Sequence, residues 1–334
     1  MRNRRAEAVL FGFDFQVNAA IVLMLENISN LHALRLEGNH EDIELKLSDN
    51  RYILAQAKAI EKSSTDFTHV RENLKKALVS LSDGSQAIEV DKLILITNSP
   101  NPLNDKDSRS IFSGPASHRP FATLPPSSQK IIADYLDNIE HPLDINKFTI
   151  QTLPFETDDE AERYKVVLQV INDFISSLKL EPGIGKQLHG IWRNDLFTNG
   201  TKQNADICLT KKELVWPLIV ITTDIDRIDR DFTDRFDSAQ YDEIVYRYRE
   251  TIDSCCERYE FFTRILFDFK AYKSTKPQKE KVLDFIENSW LNYVSEFSID
   301  GVDSETQEDL TKVVLYNVIR RRYDIERIKR GTNL

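Results

Sequence analysis

Three short strand candidates, the first two with a period of two, follow one another between residues 32 and 58. Residues 32–37 (HALRLE) alternate. Residues 42–47 (DIELKL) put Ile43, Leu45 and Leu47 on one face, and residues 51–58 (RYILAQAK) follow after the turn Ser48-Asp49-Asn50. Alternation of this kind marks half-buried strands, and the short polar turn makes the second and third a hairpin. Residues 92–97 (KLILIT) do not alternate. A continuous apolar run bounded by turn signals is a strand covered on both faces. Helical spacing flanks these strands. In residues 14–29, positions Ala20, Leu23, Met24 and Asn27 recur on one side. In residues 66–82 a stripe of Phe67, Val70, Leu74, Ala77, Leu78 and Leu81 follows Asp66, which is placed to cap the helix. The order helix, three strands, helix, strand predicts an α/β domain with a mixed sheet.

The rest of the chain extends and then departs from this pattern. Residues 98–126, rich in Asn, Ser and Pro, read as a long surface loop. A helix near 128–139, a strand near 147–152 and a helix at 158–179 follow. Glu181-Pro182-Gly183 is the best boundary, dividing residues 1–180 from a second part at 183–334. That second part reads as mainly helical, with helices near 186–197, 210–222, 238–270, 276–297 and 304–329. A length of 334 residues agrees with two domains.

The net charge of −10 argues against a basic nucleic-acid coat protein, but its distribution is uneven. Residues 1–81 are neutral overall, residues 82–310 carry −15 and residues 311–334 carry +5. An acidic body disfavours non-specific contact with polyanions. Cys208, Cys255 and Cys256 form no disulfide framework, as expected in a reducing compartment. The start, MRNRRAEAVLFGFDF, is basic but carries Asp14 and lacks a small-residue cleavage site. No apolar run reaches the ~18 residues of a membrane span. A cytoplasmic protein without a membrane segment is expected.

The residues that carry chemistry lie in the strands. Asp42 opens the second strand, and Glu44, two residues on, shares its face. Gln56 and Lys58 share a face of the third strand, and pairing about Ser48–Asn50 brings Asp42 near Lys58. Asp42, the Gln56 side-chain oxygen and the Ala57 carbonyl suit a hard cation such as Mg²⁺ (or Mn²⁺), which takes a few protein oxygens plus water. Such an ion assists phosphodiester hydrolysis, with Lys58 orienting water or stabilising developing charge. The other reading of the same alternation is a solvated strand face. Against it, Gln56 and Lys58 are interleaved with Ile53, Leu54, Ala55, Ala57, Ala59 and Ile60, and polar groups among apolar ones need partners.

The element order and these residues resemble the PD-(D/E)xK nuclease superfamily. More narrowly, they are similar to the double-stranded DNA endonuclease domain of bacterial anti-phage effectors. The matching pieces over residues 8–98 are Gly12-Phe13-Asp14-Phe15-Gln16, Glu37, the pair Glu41-Asp42, and Gln56-Ala57-Lys58. The resemblance implies a restriction-endonuclease-like fold. It implies that Asp42 is the metal-binding acid and Lys58 the catalytic lysine. Gln56 stands where many relatives have an acid, leaving one fewer charge on the metal. Glu37 and Gln16 match positions near the metal or substrate, and Glu44 is left with support at most. The helical half, through Leu214-Val215-Trp216-Pro217 and the closing LTKVVLYNVIRRRYDIERIKRG, weakly resembles nuclease subunits of Lamassu-type and ABC-ATPase-linked three-component defence. That implies an SMC-like ATPase and an accessory subunit as partners, with oligomerisation on activation. The alternative is a catalytically inactive DNA-binding or structural adaptor that keeps the fold.

Other patterns carry less. The six histidines lack metal spacing, the cysteines form no CxxC pair, and Gly183-Ile184-Gly185 lacks the remainder of a dinucleotide fingerprint. The acidic run from Asp224 to Asp231 lacks the glycine and final glutamate of a calcium loop and reads as a solvated segment. Arg320, Arg321, Arg322, Lys329 and Arg330 either grip DNA phosphates or pair with acids while Val314, Leu315, Val318, Ile325 and Ile328 pack.

Overall fold

The computed structural model describes residues 4–112, 114, 117–156, 158–222, 238–256, 258–297, 299 and 301–334. The run from Asp224 to Asp231 lies outside the described residues. Two compact units are present. One comprises residues 1–177, 181–214 and 332–334, and the other residues 178–180 and 215–331. This division differs from a boundary at Pro182, because the helix after the Pro-Gly turn packs with the first unit.

In the first unit the order runs α1 (Arg4–Asn27), β1 (Leu31–Leu36), β2 (Ile43–Leu47), β3 (Tyr52–Lys58), α2 (Val70–Gly84) and β4 (Val90–Thr97). It continues through β5 (Ser117–Pro120), α3 (Pro126–Leu136), β6 (Phe148–Thr152), α4 (Glu160–Arg163), α5 (Lys165–Ser177), α6 (Gly185–Gly200), β7 (Leu209–Thr210) and the start of α7 (Lys211–Thr222). The strands make one seven-stranded mixed sheet in the order β5-β6-β4-β3-β2-β1-β7. β4 is parallel to β3 and β6, whereas β2 is antiparallel to β1 and β3.

Leu54 of β3 and Leu95 of β4 join Leu74, Ala77, Leu78 and Leu81 of α2 in one core cluster. Gln56 and Lys58 alternate with Ala55 and Ala57, so they share the Leu54 side of β3. α1 contacts β1, β2 and β3. Every residue from Phe15 to Leu25 is buried, which makes α1 a core helix. Its stretch Ala6–Asn27 is long and apolar enough to cross a membrane, yet 61% of its most apolar 18-residue window is buried inside the protein. Gly12 has open space around its α-carbon. An interior helical glycine costs conformational entropy, so Gly12→Ala is expected to stabilise the protein by about 0.5–1 kcal/mol in thermal denaturation.

Several boundaries depart from the sequence reading. α1 begins near Arg4, ten residues earlier than residue 14. α2 begins after His69, and Asp66 accepts from Thr68 N–H instead of capping the helix. The segment 98–126 holds edge strand β5, and Leu103 and Phe112 from it enter the α2 core. The helix expected at 158–179 is two pieces, α4 and α5.

The second unit is helical in its described residues. It holds most of α7, then α8 (Ser238–Cys256), α9 (Tyr259–Ala271), α10 (Gln278–Ser289), α11 (Ser304–Arg320) and α12 (Arg322–Thr332). Phe261 of α9 meets Tyr293 and Phe297 edge-on, and Phe269 meets Phe285 of α10. Such aromatic pairs add about 0.5–1.5 kcal/mol each beyond their buried area. The helix expected at 304–329 breaks at Arg321, where the backbone leaves helical geometry.

Candidate active site

β2 and β3 pair so that Ile43 faces Ala55. Asp42, one residue before β2, therefore sits opposite Gln56. One oxygen of the Asp42 carboxylate, Oδ2, accepts from the Gln56 side-chain amide and from Ala57 N–H at 3.0 Å. Lys58 Nζ lies 4.0 Å from the same oxygen. The N–H and C=O of a strand residue leave on one edge, so the Ala57 carbonyl lies on the side that meets Asp42. The Asp42 carbonyl is itself fixed by Gln16 Nε2 at 2.8 Å and Glu37 N–H at 2.9 Å. Asp42, Gln56, Lys58, Gln16 and Glu37 thus converge at the carboxyl end of β3, beside the parallel end of β4.

The cluster is only partly open. Gln16 and Gln56 are buried, while the Asp42 and Lys58 side chains are about one quarter exposed, at 26% and 27%. Burial pushes the Asp42 carboxyl above its usual range; Lys58, Ala57 N–H and Gln56 oppose that rise. Glu37 is exposed, contributes its main chain at a positive φ of 49°, and adds negative charge near Asp42. Glu44 does not reach the Asp42 carboxylate. Its own carboxylate accepts from His40 N–H and Glu41 N–H, and so holds the turn that delivers Asp42.

Glu41 is the residue that sequence reasoning left without a role. It is buried, and one carboxylate oxygen, Oε2, lies 3.3 Å from Asp42 N–H. The other, Oε1, is buried and makes no hydrogen bond of ordinary geometry, with the Ser80 hydroxyl approaching the carboxylate. Burial pushes its pKa up to about 7, partly countered by Ser80 and Lys58. No local pattern announces this, because the burial comes from α2.

α2 also fixes the turn from the other side. A β-carbon on Gly84, the last residue of α2, would stand 2.6 Å from the His40 carbonyl oxygen. Gly84→Ala must move the turn that carries Glu41 and Asp42. We expect a loss of about 1–3 kcal/mol in denaturant unfolding, as for overpacked sites.

The basic residues near the C-terminus belong to the second unit. Arg321 and Arg327 pair with Asp324. Arg322 stacks on Phe269 and Tyr323, Lys329 lies over Tyr259, Arg320 also has a partner, and Arg330 is exposed. Most of these side chains thus have partners within the second unit.

Chemically, the Asp42 cluster presents a carboxylate, an amide, a main-chain carbonyl and an ammonium group. Among the described residues, no three or more His, Cys, Asp or Glu side chains gather to hold a metal ion. The available donors are oxygens, which suit a hard cation that keeps several waters. Glu41 Oε1 adds a buried acceptor beside them. No known protein family, curated protein or solved structure matches the chain.

Proposed function

We propose that this chain is a Mg²⁺- or Mn²⁺-dependent nuclease that cleaves double-stranded DNA, with a restriction-endonuclease-like first unit. The observation that carries the reading is the gathering of Gln56, Ala57 N–H and Lys58 on one oxygen of Asp42 at the end of β3. The order α-β-β-β-α-β around it supports the same reading.

Asp42, the Gln56 side-chain oxygen and the Ala57 carbonyl would hold the cation. When bound, such an ion stabilises the charge that builds on a phosphate. Lys58 supplies a positive group that orients the attacking water or stabilises transition-state charge. Gln16 and the Glu37 main chain keep Asp42 in place, since a carboxylate shifted by an ångström loses much of its effect.

A nuclease of this kind is toxic when unrestrained. The proposed context is therefore cytoplasmic anti-phage or anti-plasmid defence. An SMC-like ATPase and an accessory subunit restrain the chain, and oligomerisation brings several sites to one duplex. The second reading, a DNA-binding or structural adaptor, is favoured by the lack of a charge at Gln56. Cells expressing the chain with its partners separate the two. Lys58→Ala is expected to abolish DNA breaks and growth arrest on triggering. Undiminished breaks and arrest in the variant contradict the catalytic assignment.

A further inference from the structure

We propose that Glu41 supplies a second carboxylate oxygen to the divalent cation held at Asp42, an inference that rests on the nuclease reading. With Asp42 as the sole acid on the ion, one negative charge faces a divalent cation and the Lys58 ammonium. Gln56 is neutral and buried, and cannot restore the balance. Glu41 can. It precedes Asp42 in the chain, is 6% exposed, and its Oε2 is tied to Asp42 N–H, while its Oε1 makes no hydrogen bond of ordinary geometry although the Ser80 hydroxyl approaches the carboxylate.

The residue is also held in advance. Its N–H donates to the Glu44 carboxylate at 3.1 Å, its carbonyl accepts from Gly38 N–H at 3.1 Å, and the adjacent His40 carbonyl rests against Gly84. A buried oxygen that is positioned yet lacks a well-formed hydrogen bond is costly unless a cation or water completes it. A hard cation beside Asp42 completes it and takes the second charge that six-coordinate sites of this kind often use.

Mn²⁺ binding to the full chain by isothermal titration calorimetry tests the inference without reference to turnover. The wild type is expected to bind, Asp42→Asn to lose binding, and Glu41→Gln to bind at least about tenfold more weakly. Glu41→Asp, which keeps the charge, is expected to bind more tightly than Glu41→Gln. Thermal melts in EDTA confirm that each variant is folded. Glu41→Gln binding within twofold of wild type, while Asp42→Asn loses it, overturns the role of Glu41 and leaves the nuclease reading standing. A wild type that binds no Mn²⁺, or an Asp42→Asn variant that binds it unchanged, overturns the metal site itself.

Discussion

Asp42→Asn is expected to lower metal-dependent DNA cleavage by at least about a thousandfold, equivalent to about 4 kcal/mol of transition-state stabilisation. The substitution keeps the side chain's size and leaves an oxygen to accept from Ala57 N–H. It removes the charge that pairs with Lys58 at 4.0 Å and that would hold the cation. The rate is therefore expected to collapse while the fold survives. Single-turnover cleavage of a linear duplex, with circular dichroism as the control, measures both. Cleavage within a few fold of wild type by a folded variant would remove Asp42 from the chemistry.

The second large effect is on stability and concerns Glu41. Its pKa rises from 4.5 to about 7 on folding because burial penalises the charged form. The folded state then binds a proton that the unfolded chain releases between these values. Stability from this group is full below about pH 4.5, falls as pH rises, and is gone above about pH 7. At about 1.4 kcal/mol per unit, the loss across the window is about 3 kcal/mol. Glu41→Gln, which is always neutral, is expected to abolish that slope. In EDTA at pH 8 it is expected to melt several degrees above wild type, whereas near pH 4.5 the two converge. Parallel pH profiles for the two proteins would contradict the burial of this carboxyl as a charged group.

Glu41→Gln is thus expected to act in opposite directions on stability and on metal binding. A substitution that raises stability and weakens metal binding is the behaviour of a residue kept for function at a cost to the fold. Burial raises the pKa of Asp42 as well.

How far the sequence reached depends on the range of the interactions involved. β1 and β2 were legible because their sequences alternate, and β3 because a polar turn joins it to β2. β4 was legible because its run is apolar throughout. From that register alone Asp42, Gln56 and Lys58 fall together, and the structure brings all three to one oxygen. Gln16 was placed near them only through the resemblance; its bond to the Asp42 carbonyl depends on how α1 lies across the sheet. Glu41 was not legible as a buried acid, because Ser80 approaches it, and Gly84 the adjacent His40, from a helix some forty residues away.

Elsewhere, weak local signals were overruled by packing. β7 has two residues and exists only through pairing with Ala33 and Leu34 of β1. The helix α6 follows a Pro-Gly turn that reads as a linker, yet its Trp192 is buried and donates to the Leu214 carbonyl within the first unit. The two readings of the arginines at 320–322 stayed open in the sequence: Asp324, three residues from Arg321, is a visible partner, whereas Phe269, on which Arg322 stacks, is some fifty residues away.

The most direct test of the central claim is the cleavage of supercoiled plasmid by the purified full chain, alone and assembled with its partner subunits, with linear DNA ends present. Nicked and linear products are expected with Mg²⁺ or Mn²⁺, none with EDTA, and none from Asp42→Asn or Lys58→Ala. Absence of cleavage with either metal in every assembly, or equal cleavage by wild type and both variants, would contradict it.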